Sequence, residues 1–218
     1  MHIDPSVFLI LPVLVLSIVT HECAHGLAAL WCGDTTARDQ GRITLNPVPH
    51  IDPLGSIILP LILAVAHAPV MLGWAKPVPI QPANFRNPRN GAVWVALAGP
   101  ASNGLLALAG AAVARWAPGS GFFAPLRDIG IAAVVINLAL GLFNLIPIPP
   151  LDGSWVLMRF LRLKHIIVLH QFRWVGLLIV ATLMSSPATS GPLLERPLKA
   201  LVHATLGLFG MPNAAEVL

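Results

Sequence analysis

Long apolar stretches, separated by short polar connections rich in proline and glycine, dominate this chain of 218 residues. Several of them approach the roughly 20 apolar residues that cross the hydrocarbon core of a bilayer. The pattern therefore predicts an all-α polytopic membrane protein with about five to six transmembrane helices, and the length indicates a single domain over residues 1–218. The apolar stretches cover residues 7–31, 54–72, 92–114, 129–146 and 175–184, with a weaker one at 198–209.

Composition supports a membrane location and argues against binding of nucleic acid. Hydrophobic residues make up 56% of the chain and charged residues 10%, with a mean hydropathy of +0.79, whereas soluble domains carry roughly 25% charged residues. The net charge of +4 comes from basic residues between apolar stretches, where the positive-inside rule explains them. No basic stripe with interleaved aromatic residues is present, so the expected partner is the lipid bilayer and no nucleic acid.

The second apolar stretch, residues 54–72, is the ambiguous one because Pro60 and Pro69 interrupt it. If it crossed the membrane, the Lys and Arg residues would divide rather evenly between the two faces. If it enters and returns on the same side, Arg115 and Arg127 lie on one face of the membrane. All other Lys and Arg residues before the fifth stretch then lie on the opposite face. The stronger positive-inside bias favours a re-entrant or β-like hairpin region between the first and second core helices.

A candidate metal site lies at the end of the first apolar stretch, in the sequence His21-Glu22-Cys23-Ala24-His25. On a helix, positions i and i+4 share a face, so the two imidazoles can bind one zinc ion. The glutamate can then act as general base on a metal-bound water. The alternative is two unrelated core histidines beside a stray glutamate. The cost of ionisable groups inside a membrane helix favours a functional site.

A catalytic zinc ion usually has a third protein ligand, and Asp152 is the best candidate. It lies in residues 144–153 (NLIPIPPLDG), where three prolines break an apolar helix. Irregular backbone at membrane depth needs cover from protein or a water-filled cavity. The simpler interpretation is that Asp152 caps the next helix. However, the distribution of charges favours a stretch 54–72 that does not cross the membrane. Only in that case does the end of stretch 129–146, which leads to Asp152, lie on the same membrane face as the histidines.

Taken together, the sequences HECAH at 21–25 and NLIPIPPLDG at 144–153 resemble the paired motifs of the site-2 proteases, which are intramembrane zinc metalloproteases. The resemblance covers about residues 7–161, which would form the catalytic core, and leaves C-terminal helices at about 165–212. It implies Zn²⁺ as cofactor, with His21, His25 and Asp152 as ligands and Glu22 as the catalytic base.

Two asparagines are candidates for binding the substrate backbone or the oxyanion. The resemblance implies this role for Asn144, and Asn103 is a second candidate because residues 97–103 (LAGPASN) look like the family's Gly-Pro entry into a core helix. Each asparagine could instead only bond a neighbouring helix. Residues 41–47 (GRITLNP) and 50–53 (HIDP) resemble a bacterial subgroup, and the printed sequence leaves no room for a PDZ domain.

The resemblance implies hydrolysis of peptide bonds in transmembrane or membrane-associated substrates, including signal-peptide-like ones. It also implies a multi-pass protein of the bacterial plasma membrane with its active site nearer the cytoplasmic face. Two alternatives remain open, a membrane zinc-binding transporter and a catalytically inactive membrane scaffold. The sequence does not determine the oligomeric state.

Overall fold

The computed structural model of the protein describes residues 6–65, 73–118, 120–171, 173–212 and 214. Helices account for its regular structure, and no strand occurs within those ranges. The α-helices are α1 (Ser6–Cys32), α2 (Thr36–Asp39), α3 (Leu59–Val65), α4 (Pro88–Trp116), α5 (Pro125–Asn144), α6 (Gly153–Met158), α7 (Leu163–Gln171), α8 (Arg173–Ser185), α9 (Pro187–Ser190) and α10 (Arg196–Leu208). Short π-helices cover Pro53–Ile58 and Gly191–Glu195, and 3₁₀ turns cover Val48–His50 and Pro82–Asn84.

Three long helices, α1, α4 and α5, form the core of the bundle. Helices α4 and α5 approach closely because glycines face each other at their contact. A Cβ at Gly110 would lie 2.8 Å from the carbonyl oxygen of Gly130, and one at Gly130 would lie 2.6 Å from the amide nitrogen of Ala114. Small residues at helix contacts let membrane helices pack through their backbones. The backbones of α4 and α5 are therefore close together at Gly110 and Gly130.

Length and apolar composition suit three helices for crossing a membrane: Ile10–Cys32, Pro88–Trp116 and Pro125–Asn144. A fourth span is formed only if Trp174–Ser185 and Pro187–Leu208, which meet at an angle of 94°, count as one. Many apolar side chains of the long helices are exposed, as lipid contact requires, among them Leu11, Leu16 and Leu105. The prediction of an all-α polytopic membrane protein is confirmed, with three to four candidate spans among the described residues instead of five to six.

The difference in number arises from the short apolar segments. Residues 54–72 begin as the π-helix Pro53–Ile58 and the short helix α3, and residues 66–72 lie outside the described part. Both ends of the segment meet, because the Trp74 N–H donates to the Gly55 carbonyl over 3.2 Å and the Ser56 hydroxyl donates to the Trp74 carbonyl over 2.9 Å. Such a segment returns to where it began, as the re-entrant interpretation predicts.

The C-terminal helix α10 packs back onto the core helices. Val202 and Leu206 of α10 are fully buried against Ala111 of α4 and Val134 of α5. The weaker apolar stretch at 198–209 is therefore part of the bundle. Its apolar face covers the two helices that carry the interior polar residues described below.

Candidate metal centre

Helix α1 places His21 and His25 on one face, one turn apart, as their spacing predicts. Their rings meet edge to face with centroids 4.6 Å apart, and their Nε2 atoms are 3.0 Å apart. Both side chains are buried, at 7% exposure each. Two neutral imidazoles gain nothing from facing nitrogen atoms at this distance unless a proton or a cation lies between them. The pair is therefore either hydrogen-bonded through a shared proton or one half of a cation site.

Asp152 completes the group from the other end of the chain. Its Oδ2 lies 3.1 Å from His21 Nε2 and 3.3 Å from His25 Nε2. Ligand atoms of a tetrahedral zinc site, each about 2.0–2.1 Å from the metal, lie about 3.3 Å from one another. The three observed separations are close to that value, and two imidazoles with one carboxylate are a donor set that zinc accepts. The residues present therefore fit a zinc ion.

The broken helix between α5 and α6 is what brings Asp152 to the histidines. Helix α5 ends at Asn144, the proline-rich connection follows, and Asp152 stands directly before α6. Gly153 is required here because a Cβ at this position would overlap the carbonyl oxygen of Leu145. The Asp-Gly pair thus lets the start of α6 lie against the end of α5, with the carboxylate turned toward α1.

Nδ1 of each imidazole is hydrogen-bonded away from the shared site, and this bond directs Nε2 of the same ring toward it. His25 Nδ1 donates to the Val95 carbonyl over 2.7 Å, and His21 Nδ1 donates to Asn103 Oδ1 over 2.6 Å. A carbonyl oxygen only accepts, so in each ring Nδ1 carries the proton and Nε2 keeps the lone pair that binds a metal. Outer partners of this kind orient ligands and tune metal affinity.

Gly99 explains the sequence LAGPASN at residues 97–103. A Cβ at Gly99 would lie 2.5 Å from His21 Cε1 and 2.6 Å from His25 Cε1, closer than real Cβ contacts. Helix α4 can therefore pack against both imidazoles only where it has no side chain. The glycine sets the distance of α4 from the candidate ligands.

Replacing Gly99 with alanine is expected to weaken zinc binding at least about tenfold, because both rings must move away from their ligand positions. The measurement is a competition titration of the purified protein with a chromophoric chelator. Gly104→Ala in the same helix is the matched control, since no atom lies within 4 Å of a Cβ there. Equal zinc affinities of the two variants would contradict this description of the site.

The carboxylate of Glu22 is held by the backbone of an extended segment. Its Oε2 accepts a hydrogen bond of 2.9 Å from the Val78 N–H. The neighbours Pro77 and Pro79 have no N–H to offer, so Val78 supplies the donor at this place. Arg42 in turn donates to the Pro77 carbonyl over 3.3 Å. One carboxylate oxygen is fixed in this way, and the other remains available for a proton.

Asp34, just past the end of α1, anchors the far end of the same segment. The side chain is fully buried, and its Oδ2 accepts from the Gln81 N–H over 2.7 Å. Burial opposes its ionisation, but the hydrogen bonds from Gln81, Thr36 and Asn84 outweigh it and hold the pKa of this carboxyl below its ordinary value. The charged form is the stable one, so the extended segment is fixed at Glu22 on α1 and at Asp34 just beyond the end of α1.

The two asparagines differ in what they contact. Asn103 is fully buried behind His21, where it contacts the imidazole and the side chain of Asn137; its role as a substrate contact stays a prediction. Asn144 donates to the Leu140 carbonyl of its own helix over 3.0 Å, and its role in binding substrate stays a prediction. Cys23 turns away from the histidines and donates to the Thr44 carbonyl over 2.9 Å.

Asn137 also belongs to this site, although no motif in the sequence pointed to it. It is 1% exposed in the middle of the apolar helix α5. An amide in the middle of an apolar membrane span is a signal that could have identified it, because such a group needs a partner.

Comparison with known proteins agrees with this geometry. Residues 122–186 match the model of Peptidase family M50. Over 146 residues, or 64% of this chain, the sequence is 42% identical to the Bacillus subtilis protein named "Putative zinc metalloprotease YwhC". It is 31% identical over 180 residues, or 80% of the chain, to the Mycolicibacterium smegmatis protein named "Putative zinc metalloprotease Rip2".

The chain spans 63% of the first relative's length and 65% of the second's. No solved structure matches it. The matched family segment contains Asp152 and the broken helix, and the histidines face that carboxylate from α1. The resemblance seen in the two motifs is confirmed by the match of residues 122–186 to the domain of Peptidase family M50, the site-2 protease family, and by the two relatives named as putative zinc metalloproteases.

Proposed function

We propose that the protein is an intramembrane zinc metalloprotease that hydrolyses peptide bonds of transmembrane or membrane-associated substrates. The observation that carries the proposal is the convergence of His21, His25 and Asp152, with their ligand atoms within 4.8 Å of one another, beside Glu22. The site lies where the membrane-spanning helix α1 meets the broken connection between α5 and α6, so its substrate is a chain at membrane depth.

Zinc bound to the three ligands would lower the pKa of its water toward neutrality and polarise the scissile carbonyl. Glu22 would serve as the general base that holds the proton of the attacking water and passes it to the leaving amine. The hydrogen bond from Val78 fixes one of its oxygens, so the carboxylate keeps its direction during the transfer. Because a helix hides its amides in hydrogen bonds from residue i to i−4, the substrate helix unwinds locally before attack.

An apolar cavity next to the site supports a hydrophobic substrate. It is an open groove of about 260 Å³ with an almost wholly apolar lining. Gly153, the neighbour of Asp152, forms part of its wall, together with residues of α4, α6 and the broken connection. The lining residues are Leu97, Leu145, Pro147, Gly153, Val156, Leu157 and Phe160.

The proposed location is the bacterial plasma membrane, with the active site nearer the cytoplasmic face. Both relatives are bacterial. The end of α1 that follows the histidines continues into the connection with Arg38 and Arg42, and the start of α4 carries Arg89. Under the positive-inside rule this face is cytoplasmic. Partners proposed for this site are membrane proteins and signal-peptide-like segments.

Metal removal in a reconstituted system tests the proposal. The purified protein is placed in lipid vesicles with a panel of tagged single-span membrane proteins and signal-peptide-like segments, and products are identified by mass spectrometry. Cleavage is expected, a zinc chelator should abolish it, and added zinc should restore it. Zinc uptake without cleavage would support the transporter instead. Zinc binding with neither uptake nor cleavage would support the inactive scaffold.

A further inference from the structure

A chain of buried amides runs from the metal centre across two helices. His21 Nδ1 lies 2.6 Å from Asn103 Oδ1 on α4, and Asn103 Nδ2 donates to Asn137 Oδ1 on α5 over 2.9 Å. Asn137 Nδ2 then donates to the Ala133 carbonyl over 2.9 Å. Both asparagines are at most 1% exposed. Three hydrogen bonds therefore connect a candidate zinc ligand to the backbone of α5.

The far end of this chain fixes its direction. The Ala133 carbonyl can only accept, so the amide nitrogen of Asn137 must face it and the amide oxygen must face Asn103. Asn103 then presents its nitrogen to Asn137 and its oxygen to His21. His21 is left with one arrangement, a proton on Nδ1 and a lone pair on Nε2, where Asp152 and His25 lie. Reversing any amide would bring two acceptors or two donors together.

Holding the helices together does not account for this arrangement. Helices α4 and α5 already meet through Gly110 and Gly130 and through the packing of Val134 on Ala111. Asn137 uses its donor on a carbonyl four residues earlier in its own helix, which adds nothing to the contact between helices. That bond does set which way the amide points.

We propose that Asn137 is a positioning residue for the metal centre. Asn137 acts through Asn103 to set the tautomer and ring orientation of His21. The inference rests on the proposed zinc-dependent function and deepens it. It adds α5 to the elements that determine the geometry of the ligands, which are α1, α4 and the connection before α6. Outer partners of metal-binding histidines typically change metal affinity by about 10–100-fold when removed.

Zinc affinity, measured without substrate, tests the inference. Asn137→Leu is expected to weaken zinc binding about 10–100-fold in a chelator competition and to change the visible absorption spectrum of the cobalt-loaded protein. Val134→Ala is the matched control on α5, since it removes fully buried packing against Ala111 without touching an amide. It is expected to leave zinc affinity within about twofold. Asn137→Ser, which is too short to reach Asn103, serves as a second variant if the leucine variant does not fold.

The dependence on Asn103 separates positioning from general stability. In an Asn103→Ala background, Asn137→Leu should cause little further loss of zinc affinity, because its effect passes through the amide that is already gone. Full additivity of the two losses would overturn the proposal. So would zinc affinity of Asn137→Leu or Asn137→Ser within about twofold of the unmodified protein. Because no cleavage is measured, these results are independent of whether the protein is a protease.

Discussion

Replacing Glu22 with glutamine is expected to abolish peptide hydrolysis while zinc binding stays intact. Glutamine has nearly the shape of glutamate, and its amide oxygen can still accept the hydrogen bond from Val78. It cannot take a proton from water at neutral pH. Loss of general acid–base catalysis costs a rate factor of about 10²–10⁴, so cleavage should fall at least a hundredfold. Turnover and bound zinc are measured on the same preparation.

Glu195→Gln is the control for this experiment, because it makes the same substitution at a glutamate that bonds Ser190 outside the metal centre. Its cleavage rate should match that of the unmodified protein. A Glu22→Gln variant with normal turnover would remove the proposed general base. A variant that lost its zinc as well would show that Glu22 has a structural role at the ligands.

Replacing Asp152 with alanine is expected to remove most of the bound zinc. The variant keeps two imidazoles, but a zinc site normally needs a third protein ligand. Because even the outer partners of ligands change affinity about 10–100-fold, loss of a ligand should weaken binding by more than about 100-fold. Metal analysis of the purified protein after dialysis measures this directly.

The control is Asp128→Ala, which removes an exposed carboxylate at the start of α5 and should leave zinc unchanged. Its folding and yield also show how the bundle tolerates loss of an aspartate. Full zinc occupancy in Asp152→Ala would mean that a different group is the third ligand. Zinc loss in both variants would point to a general defect of the bundle.

The local parts of the site were predictable because they follow from helix geometry. The spacing of His21 and His25 places them on one face of any α-helix, and a proline-broken membrane segment that ends in an aspartate has few roles other than a functional one. Charge distribution predicted the return of residues 54–72, which the contact of Trp74 with Gly55 matches. These inferences depend on neighbours in sequence or on the membrane, both of which are visible in the chain.

What escaped prediction depends on packing between distant segments. The hydrogen bond from Val78 to Glu22 joins an extended loop to α1, and no local pattern reveals it. The contacts of Asn103 with His21 and Asn137 likewise arise from the close packing of α4 on α5 and α1. The number of spans was expected to be higher because hydropathy counts α8 and the helical stretch after it as two stretches, whereas they meet at 94° and make at most one span.

X-ray absorption spectroscopy of the zinc-loaded protein tests the central claim most directly, because it reports the ligand atoms around the metal. The expected result is a shell of nitrogen and oxygen atoms at about 2.0–2.2 Å, with imidazole scattering from two histidines and no sulfur. A sulfur atom at about 2.3 Å would instead make Cys23 or Cys32 a ligand. A single imidazole would likewise contradict the joint binding of zinc by His21, His25 and Asp152.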